Sequence, residues 1–204
     1  MFVHRKFTRY IFLFIFFLTM LVGCAQTWSA RVTQFEEWPE KTVGATYYVH
    51  QTDEQKNNLA YQSVVDAVRA AIGSTGLIQA PEEKARFVVY VNFQNPLKRK
   101  WIERYEGPYL TPFGGYWGGL YGPGPWGFGA HSGWTVFPID VYENTLSVRI
   151  LDRDQDGKEV YQARAMSETT EEDFLTQISH LAQAVFSDFP GVSGQSRIIE
   201  KRIN

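Results

Sequence analysis

The order of apolar segments along this chain predicts an α+β domain, with an antiparallel or mixed four- to five-stranded sheet and two helices packed on one face. Three observations lead there. Five short segments, 31–35, 45–49, 87–93, 142–151 and 159–165, are rich in β-branched and aromatic residues and read as strands. Two others repeat apolar residues at helical spacing. Each of these two has a single apolar stripe, so each needs a sheet face to cover.

Taken in order, Arg31 to Phe35 alternates as a strand would, and Glu37-Trp38-Pro39 breaks it. Ala45 to Val49 is the second strand. Thr52 or Asp53 caps a helix running to Ile72, with Leu59, Val64, Val65, Val68 and Ile72 on one face and Gly73 and Gly76 at its end. Phe87 to Phe93 is a near-continuous apolar run, the pattern of a central strand. Lys98 to Arg104 is basic with Trp101 inside it, and reads as a solvated strand edge or loop, with contact to anionic lipid or glycan phosphate as the alternative. Tyr142 to Leu151 and Glu159 to Ala165 form a hairpin around Asp156-Gly157, where glycine tolerates the positive φ of the turn. Thr169 or Thr170 caps the second helix, with Glu172 or Asp173 in the capping-box position. Phe174, Ile178, Leu181, Val185 and Phe186 make its apolar face, and Pro190-Gly191 ends it. Residues 193–204 read as a polar, loose tail.

Residues 105–133 differ in composition from the rest. They interleave nine glycines between Gly107 and Gly129, and a tenth at Gly133, with Tyr109, Phe113, Tyr116, Trp117, Tyr121, Trp126 and Phe128. Each glycine costs a helix about 1 kcal/mol relative to alanine. The segment reads as a long loop inserted between strands, and loops of that length inside a domain are functional or disordered.

The first residues are different again. His4, Arg5, Lys6 and Arg9 precede an apolar run from Tyr10 to Val22, and no acidic residue occurs before Glu36. A basic opening followed by a short apolar run is the pattern of a cleaved secretory leader. The run is shorter than the ~20 residues a spanning helix needs. It closes on Leu21-Val22-Gly23-Cys24, the order of a bacterial lipobox. A small residue before the cysteine admits the scissile bond to the peptidase, and a thiol alone accepts diacylglycerol as a thioether. Cys24 is the sole cysteine. The expected organisation is a leader over 1–23, a lipidated tether over 24–30, one domain over 31–192 and the tail. Ala25, next to the lipidated residue, points to the outer membrane, facing the periplasm. Without the leader the chain carries 17 Lys and Arg against 22 Asp and Glu. Nucleic-acid binding normally uses a basic face, so a nucleic-acid partner is not expected.

Motifs with chemical content mostly fail on context. Asp152-x-Asp154-x-Asp156-Gly157 opens like a calcium loop, but the twelfth position, which needs a bidentate Glu, is Ala163. Gly122 to Gly127 spells G-x-G-x-x-G, but Pro123 and Pro125 stop it from opening a helix. Gly129-Ala-His-Ser-Gly133 has His131 where a hydrolase elbow needs Ser. His180 falls on the polar side of the second helix. No spacing suggests a metal or cofactor, and no catalytic residue is assigned.

The lipobox, Trp38-Pro39, Thr46-Tyr47-Tyr48, one amphipathic helix, the Phe87–Phe93 strand, the glycine-aromatic loop and a closing hairpin and helix occur together in this order. In this the chain resembles a family of bacterial lipoproteins known as domain of unknown function 4136. That family often has Trp in the strand after the hairpin turn, where Tyr161 stands here. The resemblance implies an envelope lipoprotein and supplies no catalytic residue.

The expected function is therefore a non-enzymatic binding or assembly module, held to the membrane by Cys24. Its contact residues for a protein or glycan partner would be Tyr109, Tyr116, Trp117, Tyr121, Trp126 and Phe128. One alternative is an envelope hydrolase using Asp140, Glu143 or His131 near the loop. Another is a purely structural lipoprotein.

Overall fold

The computed structural model describes residues 26–109 and 131–203. Cys24, the leader, and the loop residues Tyr116, Trp117, Tyr121, Trp126 and Phe128 lie outside them.

The sheet is larger than the sequence suggests. It is one mixed sheet of eight strands, where four or five were expected, and three helices accompany it, where two were expected. The strands are β1 (Gln26–Glu36), β2 (Thr46–Val49), β3 (Ile78–Gln79), β4 (Phe87–Gln94), β5 (Leu97–Tyr109), β6 (His131–Asp152), β7 (Lys158–Thr169) and β8 (Gln195–Ile203). The helices are α1 (Asp53–Lys56), α2 (Leu59–Ile72) and α3 (Phe174–Phe186). The strands lie in the order β3-β2-β4-β6-β7-β1-β8, with β5 also paired to β6. β2 runs parallel to β3 and β4, and the other pairs are antiparallel. Parallel neighbours need a long crossover, and α2 lies within the connection from β2 to β4.

Two extra stretches of sheet come from segments expected to be loose. Residues 26–30, read as tether, are the first half of β1, and Trp28 within them is buried. Residues 195–203, read as tail, form β8, whose Ile203 pairs with Gln26. The predicted first helix is divided at Asn57-Asn58. Thr52 caps α1 in a reciprocal capping box with Gln55, and the Asn58 side chain accepts from the Tyr61 amide at 3.0 Å to start α2. Leu59, expected on the buried face, is exposed. The second helix is capped by Asp173, not Thr169 or Thr170, because β7 continues through Thr169.

Register places the core on one face. Val91, Val148, Ala163 and Gln34 lie side by side across β4, β6, β7 and β1, as do Phe93, Leu146, Ala165 and Val32. α2 and α3 pack on this face and against each other, burying Val64, Val65, Val68, Ile178, Leu181 and Val185. A fully buried side chain of this size contributes roughly 1.5–3 kcal/mol. The opposite face carries Tyr90, Arg149, Gln162 and Phe35 in one row, with the polar row Asn92, Ser147, Arg164 and Thr33 beside it.

Several polar groups in the core have partners, while Gln34 Oε1 and Thr145 Oγ1 are buried without one among the described residues. The Trp28 indole donates to Gln177 Oε1 at 2.8 Å, and the Ser167 hydroxyl donates to the same oxygen at 2.9 Å. Tyr161 fills the position where the family pattern has Trp. It is buried, meets Trp38, Phe186 and Phe189, and donates to the Val185 carbonyl at 2.7 Å. Burial raises its phenol far above the ordinary value.

Candidate interaction surface

β6 is the longest strand, with 22 residues, and only part of it belongs to the body of the sheet. Residues 145–152 pair with β4 and 142–152 with β7. On the β4 side, Pro96 ends that pairing and the chain resumes as β5 along the same edge of β6. From Lys98 opposite Val141 out to Tyr109 opposite His131, β5 and β6 are each other's only paired neighbours among the described residues. The result is a two-stranded arm reaching out from the sheet.

The arm replaces part of the expected loop. Residues 105–109 and 131–133 are strand, and Tyr109 is the last described residue before the remainder of the glycine-aromatic segment. The basic stretch Lys98 to Arg104 is the middle of β5. Three of its charges have partners on β6 and β7. Lys98 reaches Glu143 at 2.7 Å, Arg99 grips Asp140 through two hydrogen bonds at 2.8 and 3.2 Å, and Lys100 contacts Glu168. The Arg99 hydrogen bond holds the Asp140 carboxyl below its ordinary range.

Side chains directly opposite in a ladder share a face. Trp101 faces Pro138, Glu103 faces Val136 and Tyr105 faces Trp134. The last pair meets edge to face, with centroids 5.4 Å apart. This face is open: Trp101 is 67% exposed, Trp134 69%, Tyr105 54% and Val136 50%. On the reverse face Ile102, Phe137 and Ile139 are half-buried among Lys100 and Arg104, and the Arg104 guanidinium lies 6.0 Å from the Phe137 ring. The exposed Trp101, Trp134 and Val136 were not among the contact residues expected from sequence, which lay between 109 and 128. The signal for them was the alternation of residues 101–105 against 134–138.

The residues of the hydrolase alternative are spread along the arm. Asp140 and Glu143 sit at its base in ion pairs. His131 is nine residues from Asp140 along one extended strand, about 30 Å away. A cleft of about 550 Å³ between α2 and α3 is lined by Ala67, Ala70, Ala71, Ser179, Gln183 and Phe189, among others, with one carboxylate, Asp188, bound by Arg197 at 3.1 Å.

The calcium-like sequence is a structural turn. Asp152 is buried, accepts from Arg86 at 3.0 and 2.7 Å and from Gln155 at 3.0 Å, and caps the turn through the Asp154 amide. Burial pushes its carboxyl up, but these hydrogen bonds outweigh burial and leave it below the ordinary value. Among the described residues no group of three His, Cys, Asp or Glu side chains is placed to hold a metal ion. His180, expected on a polar face, is half-buried against Trp28, with ring centroids 5.1 Å apart. Burial and then Lys201 lower its pKa.

Sequence comparison matches residues 31–191 to the family described as Domain of unknown function (DUF4136), and the chain belongs to that family. No curated protein matches it. Among solved structures, a PDZ domain protein from Parabacteroides distasonis shares the fold at a TM-score of 0.52 and 11% identity, over 86% of this chain and 39% of that one. Two PelC dodecamer structures from Paraburkholderia phytofirmans align at TM-scores of 0.37, with 16% and 14% identity. They cover 78% and 80% of this chain and 95% and 99% of theirs.

Proposed function

We propose, with membership of DUF4136 as the premise, that this chain is a bacterial envelope lipoprotein. In this reading Cys24 carries the lipid anchor, and the domain is a non-enzymatic binding or assembly module that engages the envelope through its β5–β6 arm. The observation that carries the reading is the open aromatic face of the arm. A two-stranded ribbon is marginal in water by itself, and large apolar side chains held out on one are placed for contact. The leader, the lipobox and the acidic balance of the mature chain support an anchored protein on the periplasmic side of the outer membrane, with no nucleic-acid partner.

Mass spectrometry of the mature N-terminus tests the anchor. The expected product begins at lipid-modified Cys24, and Cys24→Ser should abolish both lipid transfer and lipoprotein cleavage. An unmodified N-terminus downstream of Cys24 would overturn the reading. Crosslinking in living cells from position 101 or 134 tests the arm: adducts with an envelope component are expected there and not from Ser179 on α3.

A further inference from the structure

We infer that the aromatic face of the arm rests on the lipid surface that holds the anchor, with Trp101, Tyr105, Trp134 and Val136 at headgroup depth. This inference takes the reading of Cys24 above and names the occupant of the arm.

The argument is one of direction and length. Arg31 of β1 and Thr145 of β6 both lie opposite Met166 of β7. β1 and β6 are each antiparallel to β7, so their N-terminal ends leave the sheet through the same edge. β1 runs five residues beyond Arg31, to Gln26, and five residues beyond Thr145 on β6 is Asp140. β6 then continues nine residues further, to His131, about 30 Å at strand spacing. The two strands are two ladder steps apart, about 10 Å. Cys24 is two residues before Gln26, so at most about 7 Å of chain separates them. A lipid attached at Cys24 therefore holds the bilayer close to the edge from which the arm leaves. The arm outreaches that tether several-fold, and its whole open face, Trp101 through Trp134, lies beyond the level of Gln26.

Apart from the exposed Glu103 carboxylate between Trp101 and Tyr105, the chemistry of this face suits a bilayer interface. Trp and Tyr are enriched at headgroup level, where an apolar ring and a polar edge are both satisfied. Arg104 on the reverse face can keep its charge in the headgroups while its stem lies along the ribbon. The arm cannot span the membrane. Among the described residues both its edges carry unpaired backbone groups, which hydrocarbon leaves unsatisfied, so it lies along the surface. A protein or glycan could also stack on these rings, but neither would be set at this position by the tether.

The test uses the full chain produced with its leader. Val136→Cys, with Cys24 blocked by lipid, gives one free thiol for an environment-sensitive fluorophore. Tyr105→Cys is a second site on the same face, and Ser179→Cys is the control. Each protein is reconstituted into vesicles of phosphatidylethanolamine and phosphatidylglycerol, with or without a lipid bearing a nitroxide near its headgroup. The labels at 136 and 105 should lose most of their emission to the nitroxide, and the label at 179 should keep it. Equal quenching at all three positions overturns the inference. Shielding at 136 in native membranes that vanishes in pure lipid vesicles also overturns it, and assigns the face to a protein or glycan. Mass spectrometry of the same preparation reports the anchor separately. Lipidated Cys24 with an unquenched label at 136 sinks the arm contact alone. A chain without lipid on Cys24 sinks the anchor, and with it the placement of the arm that rests on the anchor.

Discussion

β6 passes through two environments, and the contrast between them separates what folds this protein from what it presents. In residues 145–152 the strand has β4 on one side, β7 on the other and α3 above it, and Leu146, Val148 and Ile150 are completely buried. In residues 134–140 its one neighbour among the described residues is β5, and Trp134 and Val136 face solvent. Both halves alternate and both contain good strand formers. The difference is set by what lies beside them. Apolar side chains in the first half are removed from water by three neighbouring elements. Those in the second gain little from folding.

The sharpest way to break this contrast is to truncate matched residues in the two halves. Leu146→Ala removes a fully buried side chain and should cost about 2–5 kcal/mol in urea unfolding. A cost below about 1 kcal/mol would show that this part of the core is loosely packed.

Next in size is Arg86→Leu, which strips the main partner from buried Asp152. A loss of about 2 kcal/mol at neutral pH is expected, since the carboxylate keeps only its bonds to Gln155 and the Asp154 amide. The native pKa of Asp152 lies below its ordinary value of 3.8. Its contribution is therefore complete above that value and is lost as pH falls through the native pKa. The variant lacks much of this term, so the stability gap between the two proteins should narrow under acid. A gap that stays constant down to pH of about 2 would show that Arg86 acts by packing alone.

Gly191→Ala should cost more than about 1 kcal/mol. The residue has φ +79, and an added Cβ would stand 2.0 Å from Gln34 Nε2 and 2.5 Å from the Asp188 carbonyl. A thermal midpoint equal to the wild type would mean that the Gln34 side chain moves aside freely.

The smallest effect sharpens the comparison from the other side. Trp134→Ala and Val136→Ala should each change stability by less than about 0.5 kcal/mol, as exposed positions do. A loss of about 2 kcal/mol at either would show that the arm packs against part of the chain and is not a free contact element.

The candidate surface was half legible. The composition of residues 105–133 drew attention to the right end of the molecule, yet the described aromatic face begins at Trp101 and includes Trp134 and Val136. The charges of Lys98, Arg99 and Lys100 obscured the strand, because they are neutralised by Glu143, Asp140 and Glu168, residues 41 to 68 positions away. Local pattern does not contain that distance.

By itself the sequence determined what depends on neighbours in the chain. The apolar stripes of α2 and α3, the run of β4, the Asp156-Gly157 turn and family membership all rest on local spacing, and periodicity or backbone conformation states them within a few residues. Tertiary structure decided which segments complete the sheet. Gln26 to Ala30 and Gln195 to Ile203 look like polar ends until they pair with each other, with Gln26 against Ile203 at opposite ends of the domain. Edge strands carry few apolar residues because one side of each has no covering neighbour. Their stability comes from a ladder whose two halves meet only after the chain has folded.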